Sequence, residues 1–146
     1  MKENEVILKR QSTRIFFKNG DTDFFFNWLL GIGEIFGFSH GELYYLAQRL
    51  GNSPKPDDWK NVFLSHVNYL EQEASNSGLS EQTKAQYYLA QTYSLRSAIQ
   101  FTDPFSEEYL PTVRQMEKVF SSAIHSLGAP IEKLTITYQG SYLPGY

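Results

Sequence analysis

Residues Gly37-Phe38-Ser39-His40-Gly41 match G-x-S-x-G, the motif of a nucleophile elbow. That chemistry needs a strained turn between a strand and a helix, so that the serine hydroxyl stands exposed. The helix that should follow is present in the pattern, but the strand that should precede is not. Leu29 to Phe36 carries two glycines and a glutamate and reads as helix, and only 36 residues precede the motif. Asp103 and His125 follow in the order an acid and a base would take, yet both fall in helical patterns. Ser39 with Glu42 three residues on is also what a capping box requires. Ser39 and Glu42 are therefore expected to cap a helix, and a small esterase using Ser39 is the competing reading.

Other reactive groups are scattered. Gly31-Ile32-Gly33 resembles a dinucleotide-binding turn, but the third glycine comes one residue late and no βαβ pattern surrounds it. His40, His66 and His125 lack metal-ligand spacing, and His66 sits beside an apolar stripe as a hydrogen-bonded core histidine would. Asp57-Asp58 fits the acidic first turn of a helix. Tyr44-Tyr45, Tyr87-Tyr88 and Tyr93 lie on helical faces. Neighbours on a helix point about 100° apart, so one tyrosine of each pair packs while the other faces out. No metal or organic cofactor is expected.

The elements around these residues read mainly as helix. Thr22 or Asp23 is expected to start a first helix running to about Phe36, with Phe24-Phe25-Phe26-Trp28 as a buried aromatic cluster. Gly31, Gly33 and Gly37 suggest a kink or a close backbone approach. A second helix runs from Ser39 through Leu43, Leu46, Ala47 and Leu50 and stops at Gly51. A third begins near Asp57 and buries Trp59, Val62, Phe63, His66 or Val67, Leu70 and Ala74. Ser80 caps a fourth that reaches about Thr102, with Ala85, Tyr88, Leu89, Thr92, Leu95 or Arg96 and Ile99 on one face. The fifth spans about Ser106 to Leu127. Then the period changes to two: Ile131 to Tyr138 alternates and is rich in β-branched residues, a strand. Gln139-Gly140-Ser141 is a turn and Tyr142 begins a return strand. A lone hairpin of this size is marginal and looks like the opening of a larger sheet.

The chain has 146 residues, 41% of them hydrophobic, which suits one ordinary domain and excludes a disordered chain. Its 13 basic and 16 acidic residues leave a charge of -3 and none of the basic surplus a nucleic-acid binder carries. It has no cysteine, hence no disulfide and no thiolate chemistry. The charged start resembles no signal peptide, and Phe24 to Phe38 is too short and too polar to span a bilayer. A cytoplasmic protein with no membrane and no nucleic-acid partner is the expectation. Aromatic residues are abundant at 16%.

The order of helices and terminal hairpin resembles a known family. Leu134-Thr135-Ile136-Thr137-Tyr138-Gln139-Gly140-Ser141-Tyr142-Leu143-Pro144-Gly145-Tyr146 has the Y-x-G-x-x-L-P-G-Y spacing of one group of α/β-hydrolases. That group includes 2,6-dihydroxypseudooxynicotine hydrolase, the fermentation-respiration switch esterase-like proteins and the polyketide-shortening hydrolases. Asp58-Trp59 through Leu79-Ser80, and Ala90-Gln91-Thr92-Tyr93 to Phe101, resemble blocks of its helical amino-terminal domain, although Leu89 stands where the group has arginine.

The resemblance implies an entry segment over 1–20, a helical cap domain over 21–130 and the first hairpin of an α/β-hydrolase domain over 131–146. The partner would be the absent catalytic domain, which would hydrolyse a C–C or ester bond next to a carbonyl, and the cap would form a homodimer. No catalytic residue transfers to this chain, and the chain alone is expected to be inactive. Trp59, Tyr88 and Tyr93, on the two longest helices, are the expected pocket-facing residues. Ser39, Glu42 and Ser80 are the expected helix caps. A stand-alone helical interaction module is the alternative.

Overall fold

A computed structural model describes residues 14–146. The elements are α1 (Gly20–Ile32), a 3-10 turn (Gly33–Phe36), α2 (His40–Leu50), α3 (Pro56–Ala74), α4 (Glu81–Ala98), α5 (Tyr109–Leu127), β1 (Leu134–Tyr138) and β2 (Ser141–Gly145). The fold is mainly helical, with a terminal antiparallel hairpin, as the periodicity predicts. Of the entry segment, residues 1–13 lie outside the described residues. Ile15 to Phe17 form neither helix nor strand.

The first helix starts earlier than expected, because Asn19 caps it. The Asn19 side chain accepts hydrogen bonds from the amides of Asp21 and Thr22. Asp23 turns backwards instead. Its carboxylate accepts the amides of Ile15, Phe16 and Phe17, which draws Phe17 into the core. The expected aromatic cluster splits. Phe25 and Phe26 are buried, whereas Phe24 and Trp28 are exposed. The Arg96 guanidinium lies 5.2 Å from the Phe25 ring centre and 4.8 Å from that of Trp28, a cation–π arrangement that covers this edge.

The core lies between α1, α2 and α3. Leu43, Leu46 and Leu50 of α2 and Trp59 and Phe63 of α3 meet Phe17, Phe26 and Leu29 there. α4 packs against both α3 and α5. That position explains why its buried residues form no narrow stripe. Ala85, Ala90, Gln91, Ser94, Leu95, Ser97 and Ala98 are buried around most of its circumference. Small side chains let two helices approach, and the serine hydroxyls donate to carbonyls one turn back, Ser94 to Ala90 at 2.8 Å and Ser97 to Tyr93 at 2.7 Å. α4 ends at Ala98, a turn short of Thr102, and α5 begins at Tyr109 with Pro111 in its first turn.

Two glycines show what the 3-10 turn is for. Gly37 ends it with φ of 79°, and a methyl group there would lie 2.5 Å from the Gln86 carbonyl oxygen of α4. Gly31 has open space around it. Gly37→Ala is expected to cost about 2–3 kcal/mol, from left-handed strain plus the backbone clash. Gly31→Ala is expected to stabilise by about 0.5–1 kcal/mol through the unfolded chain. Urea midpoints of the two variants provide the check, and equal effects would refute the close approach.

The hairpin pairs Tyr138 with Ser141 across a two-residue loop, Gln139 and Gly140, both at positive φ. This is the backbone that matches strand twist. Cross-strand pairing puts Leu134, Ile136, Tyr138 and Leu143 on one face, and all four are 48–55% exposed. Among the described residues, the hairpin meets the helices chiefly through Tyr146. Its ring stands edge-on to Phe120 at 5.2 Å and its hydroxyl is 2.8 Å from Ser121 Oγ.

Candidate functional site

Ser39 is a helix cap. Its hydroxyl accepts the Glu42 amide at 3.1 Å, and its own amide donates to Glu42 Oε2 at 2.8 Å, closing a capping box. The segment before it is the 3-10 turn, so no strand supports an elbow. Asp103 lies in the loop before α5 and His125 in the last turn of α5, about 24 Å of helix beyond its first residue. Ser80 likewise caps α4, accepting the Thr83 amide at 3.1 Å. Gly31-Ile32-Gly33 lies at the junction of α1 and the 3-10 turn, with no strand before it among the described residues. Asp58 Oδ2 accepts the Lys55 amide at 3.0 Å and Asp57 pairs with Lys60, so this acidic pair serves the start of α3. Among the described residues, no group of three His, Asp or Glu side chains could hold a metal, and no helix is long and apolar enough to cross a membrane.

The three expected pocket residues occupy three different settings. Trp59 is 1% exposed, ringed by Phe17, Phe25, Phe26, Phe63 and Phe101, and its Nε1 donates to the Ser97 carbonyl at 2.8 Å. It is a core residue, and only its edge borders a small cavity of ≈ 190 Å³. Tyr93 is half-buried with its ring 3.4 Å from that of Phe36, and burial raises its phenol pKa. Tyr88 does line an open cleft of ≈ 650 Å³ between α4 and α5, together with Lys84, Arg114, Lys118, His125 and Lys133, the last just before β1.

A second concave site lies between α2 and α3, with a volume of ≈ 420 Å³. At its floor His66 of α3 is 6% exposed. Its Nδ1 is 2.9 Å from Ser94 Oγ and its Nε2 3.7 Å from Glu42 Oε1. The ring is sandwiched between Phe38 and Tyr69 at 5.5 and 6.0 Å. Glu42 is thereby held down to about 2. The nearby imidazole is the main cause, and the Ser39 amide and hydroxyl add to it against the opposing effect of burial. At 3.7 Å the two groups are neighbours beyond ordinary hydrogen-bond distance. Burial, then the carboxylate of Glu73, then Tyr87 and Glu42, push the Tyr69 phenol up.

Ser94, His66 and Glu42 have the residue types of a hydrolytic triad, but the geometry is structural. Ser94 is 0% exposed and its hydroxyl bonds to the Ala90 carbonyl, so no reacting atom reaches it. This trio is invisible in the sequence. Glu42, His66 and Ser94 stand 24 and 28 residues apart, and only the approach of α2, α3 and α4 unites them. No family model matches the chain, and no curated protein matches it.

Proposed function

We propose that this chain is the helical cap of a serine α/β-hydrolase that cleaves a C–C or ester bond next to a carbonyl, with the hairpin as its seam to the catalytic sheet. The observation that carries the reading is the uncovered apolar face of Leu134, Ile136, Tyr138 and Leu143. Two strands alone are marginal in water, and an apolar sheet face is stable when further strands or helices cover it. The open cleft beside Tyr88 adjoins the hairpin, where a cap would enclose a substrate and exclude water. The second reading, a homodimerising helical interaction module, draws on the same exposed face and differs in what covers it.

The test begins with the reading frame beyond Tyr146, which on this reading encodes strands and a G-x-S-x-G of its own. The separately expressed catalytic half is then assayed on aryl esters with and without this chain. Addition is expected to change its activity or its melting temperature. Ile136→Asp combined with Tyr138→Asp is expected to abolish that effect while shifting the helical domain's own stability by less than about 0.5 kcal/mol. A frame without such a sequence, or a catalytic half indifferent to the chain, overturns the cap reading.

A further inference from the structure

The cleft between α4 and α5 gathers positive charge on a chain whose net charge is -3. Lys84, Arg114, Lys118 and Lys133 line it beside only two carboxylates, Glu81 and Glu117. Glu81 is fully engaged, since Oε1 takes Lys84 Nζ at 2.7 Å and Oε2 accepts from Ser126 Oγ at 2.9 Å. Arg114, Lys118 and Lys133 remain against Glu117, and none of these four makes an ion pair among the described residues. The cleft therefore holds two positive charges in excess. Arg114 and Lys118 stand one turn apart on α5, about 6 Å along its axis, and like charges at that spacing repel each other. An anion held between them removes the repulsion.

Tyr88 supplies the second sign of a ligand. It is half-buried on α4, and only its backbone is engaged, the carbonyl accepting from Thr92 Oγ1. Neither its ring nor its hydroxyl has a partner among the described residues. The two helices run antiparallel here, because Glu81 at the start of α4 meets Ser126 at the end of α5. Tyr88, two turns further along α4, comes level with Ser122 and Lys118 and lines an adjoining cavity of ≈ 310 Å³ with both of them. A free ring beside free cations suits a ligand with a flat body and a charged end. The volume of ≈ 650 Å³ is that of a small-molecule site. Charge confined to one cleft of an acidic chain favours a small anion over a nucleic acid.

We propose that the α4–α5 cleft binds a small organic dianion with a flat ring, a phosphate monoester or a dicarboxylate, the ring on Tyr88 and the charge on Arg114 and Lys118. On the cap reading, on which this one step rests, the dianion is part of the substrate of the catalytic half.

The first test uses the chain as it stands. Calorimetry at pH 8, where a phosphate monoester carries two charges, compares phenyl phosphate, phenylsuccinate and phenyl sulfate, the last with the shape of phenyl phosphate and one charge. Saturable binding of a dianion is expected, about tenfold tighter than that of phenyl sulfate. The tighter of the two dianions identifies phosphate or dicarboxylate as the group recognised. Its ringless counterpart, inorganic phosphate or succinate, should bind about tenfold more weakly. Arg114→Gln combined with Lys118→Gln should weaken binding about tenfold or more, and Glu117→Gln should strengthen it about threefold. Arg114 and Lys118 are exposed, and circular dichroism checks each fold. No saturable binding of either dianion overturns the proposal, as does phenyl sulfate bound as tightly, or an affinity that the double variant leaves unmoved. Tighter binding of a ten-base single-stranded DNA overturns it too. The second test adds the catalytic half and compares phenyl acetate with 4-acetoxyphenyl phosphate. The chain is expected to raise kcat/KM about tenfold more for the dianionic ester. Equal effects on both esters keep the cap and overturn the assignment of the anion to its substrate. A chain that binds the dianion and leaves the catalytic half unchanged overturns the cap reading and keeps the anion site.

Discussion

Trp59→Ala is expected to lower stability by about 3–5 kcal/mol, the range for emptying a buried tryptophan site. Trp59 is the largest fully buried side chain. It touches rings from the entry segment, α1, α3 and the α4–α5 turn, since Phe17, Phe25, Phe63 and Phe101 all lie within 4.9–6.0 Å of it. Its Nε1 bond to Ser97 fixes α3 against α4. No single neighbour can collapse into the space, because each is anchored on a different element. For a chain of this length the loss corresponds to about 10 °C or more in melting temperature. Trp59→Phe keeps most of the ring volume, and the Ser97 carbonyl keeps the Gln100 amide, so about 1–2 kcal/mol is expected. Thermal and urea unfolding provide the measurement. A tryptophan whose role is to face substrate would instead lower activity and leave the melting temperature nearly unchanged, so a shift below about 3 °C would refute the core assignment.

The same residue shows where the sequence is readable. The stripe Trp59, Phe63, Val67, Leu70 and Ala74 locates the buried face of α3, and Ser39 with Glu42 locates the start of α2, because both signals are local and repeat at helical spacing. Gly51 and Gly128 end helices for an equally local reason, their positive φ. The two-residue turn at Gln139-Gly140 is legible too. α4 is different. Its burial is set by two flanking helices at once, so Ser94, Ser97 and Gln91 are inside while the expected Tyr88 and Leu89 are only partly covered. The start of α1 is misread because aspartate and asparagine both cap helices, and the choice fell to Asn19 when Asp23 was taken by the preceding loop. The site follows the same division. Glu42 as a cap is a three-residue fact, but Glu42 as the neighbour of His66 depends on how α2 crosses α3, which no local pattern encodes. Paired tyrosines leave open which ring packs, and the structure turns both Tyr44 and Tyr45 outward.

Asp23→Ala is expected to cost about 3 kcal/mol, because one carboxylate serves three consecutive backbone amides. Oδ1 accepts from Phe16 at 2.7 Å, Phe17 at 3.0 Å and Ile15 at 3.1 Å, while Oδ2 accepts from Asn27 Nδ2 at 3.1 Å. Alanine leaves these donors without their acceptor, and stranded buried donors cost more than the net worth of the bonds. It also removes a negative charge from the first turn of α1. The loss reaches the core, since the amides of Phe16 and Phe17 are what hold the Phe17 ring against Phe26 and Trp59. Asp23→Asn keeps one accepting oxygen and is expected to cost about 1–2 kcal/mol. The pH dependence separates charge from shape. Burial alone would raise the Asp23 pKa, but the amides of Phe17, Phe16 and Ile15 outweigh it and hold it below 3.8. A carboxyl depressed in the folded state contributes its full stabilisation above its unfolded pKa and loses it as pH falls through the folded value. Glu42 behaves likewise between 4.5 and about 2. Its side chain is about one-third exposed, so solvent screening leaves about 1–2 kcal/mol of its contribution. The native chain should therefore lose stability steeply between about pH 4.5 and 2, and Asp23→Asn should flatten that slope while starting from a lower plateau at neutral pH. Urea titrations of both proteins at several pH values provide the check. Parallel slopes would show that Asp23 holds the entry segment by geometry without its charge.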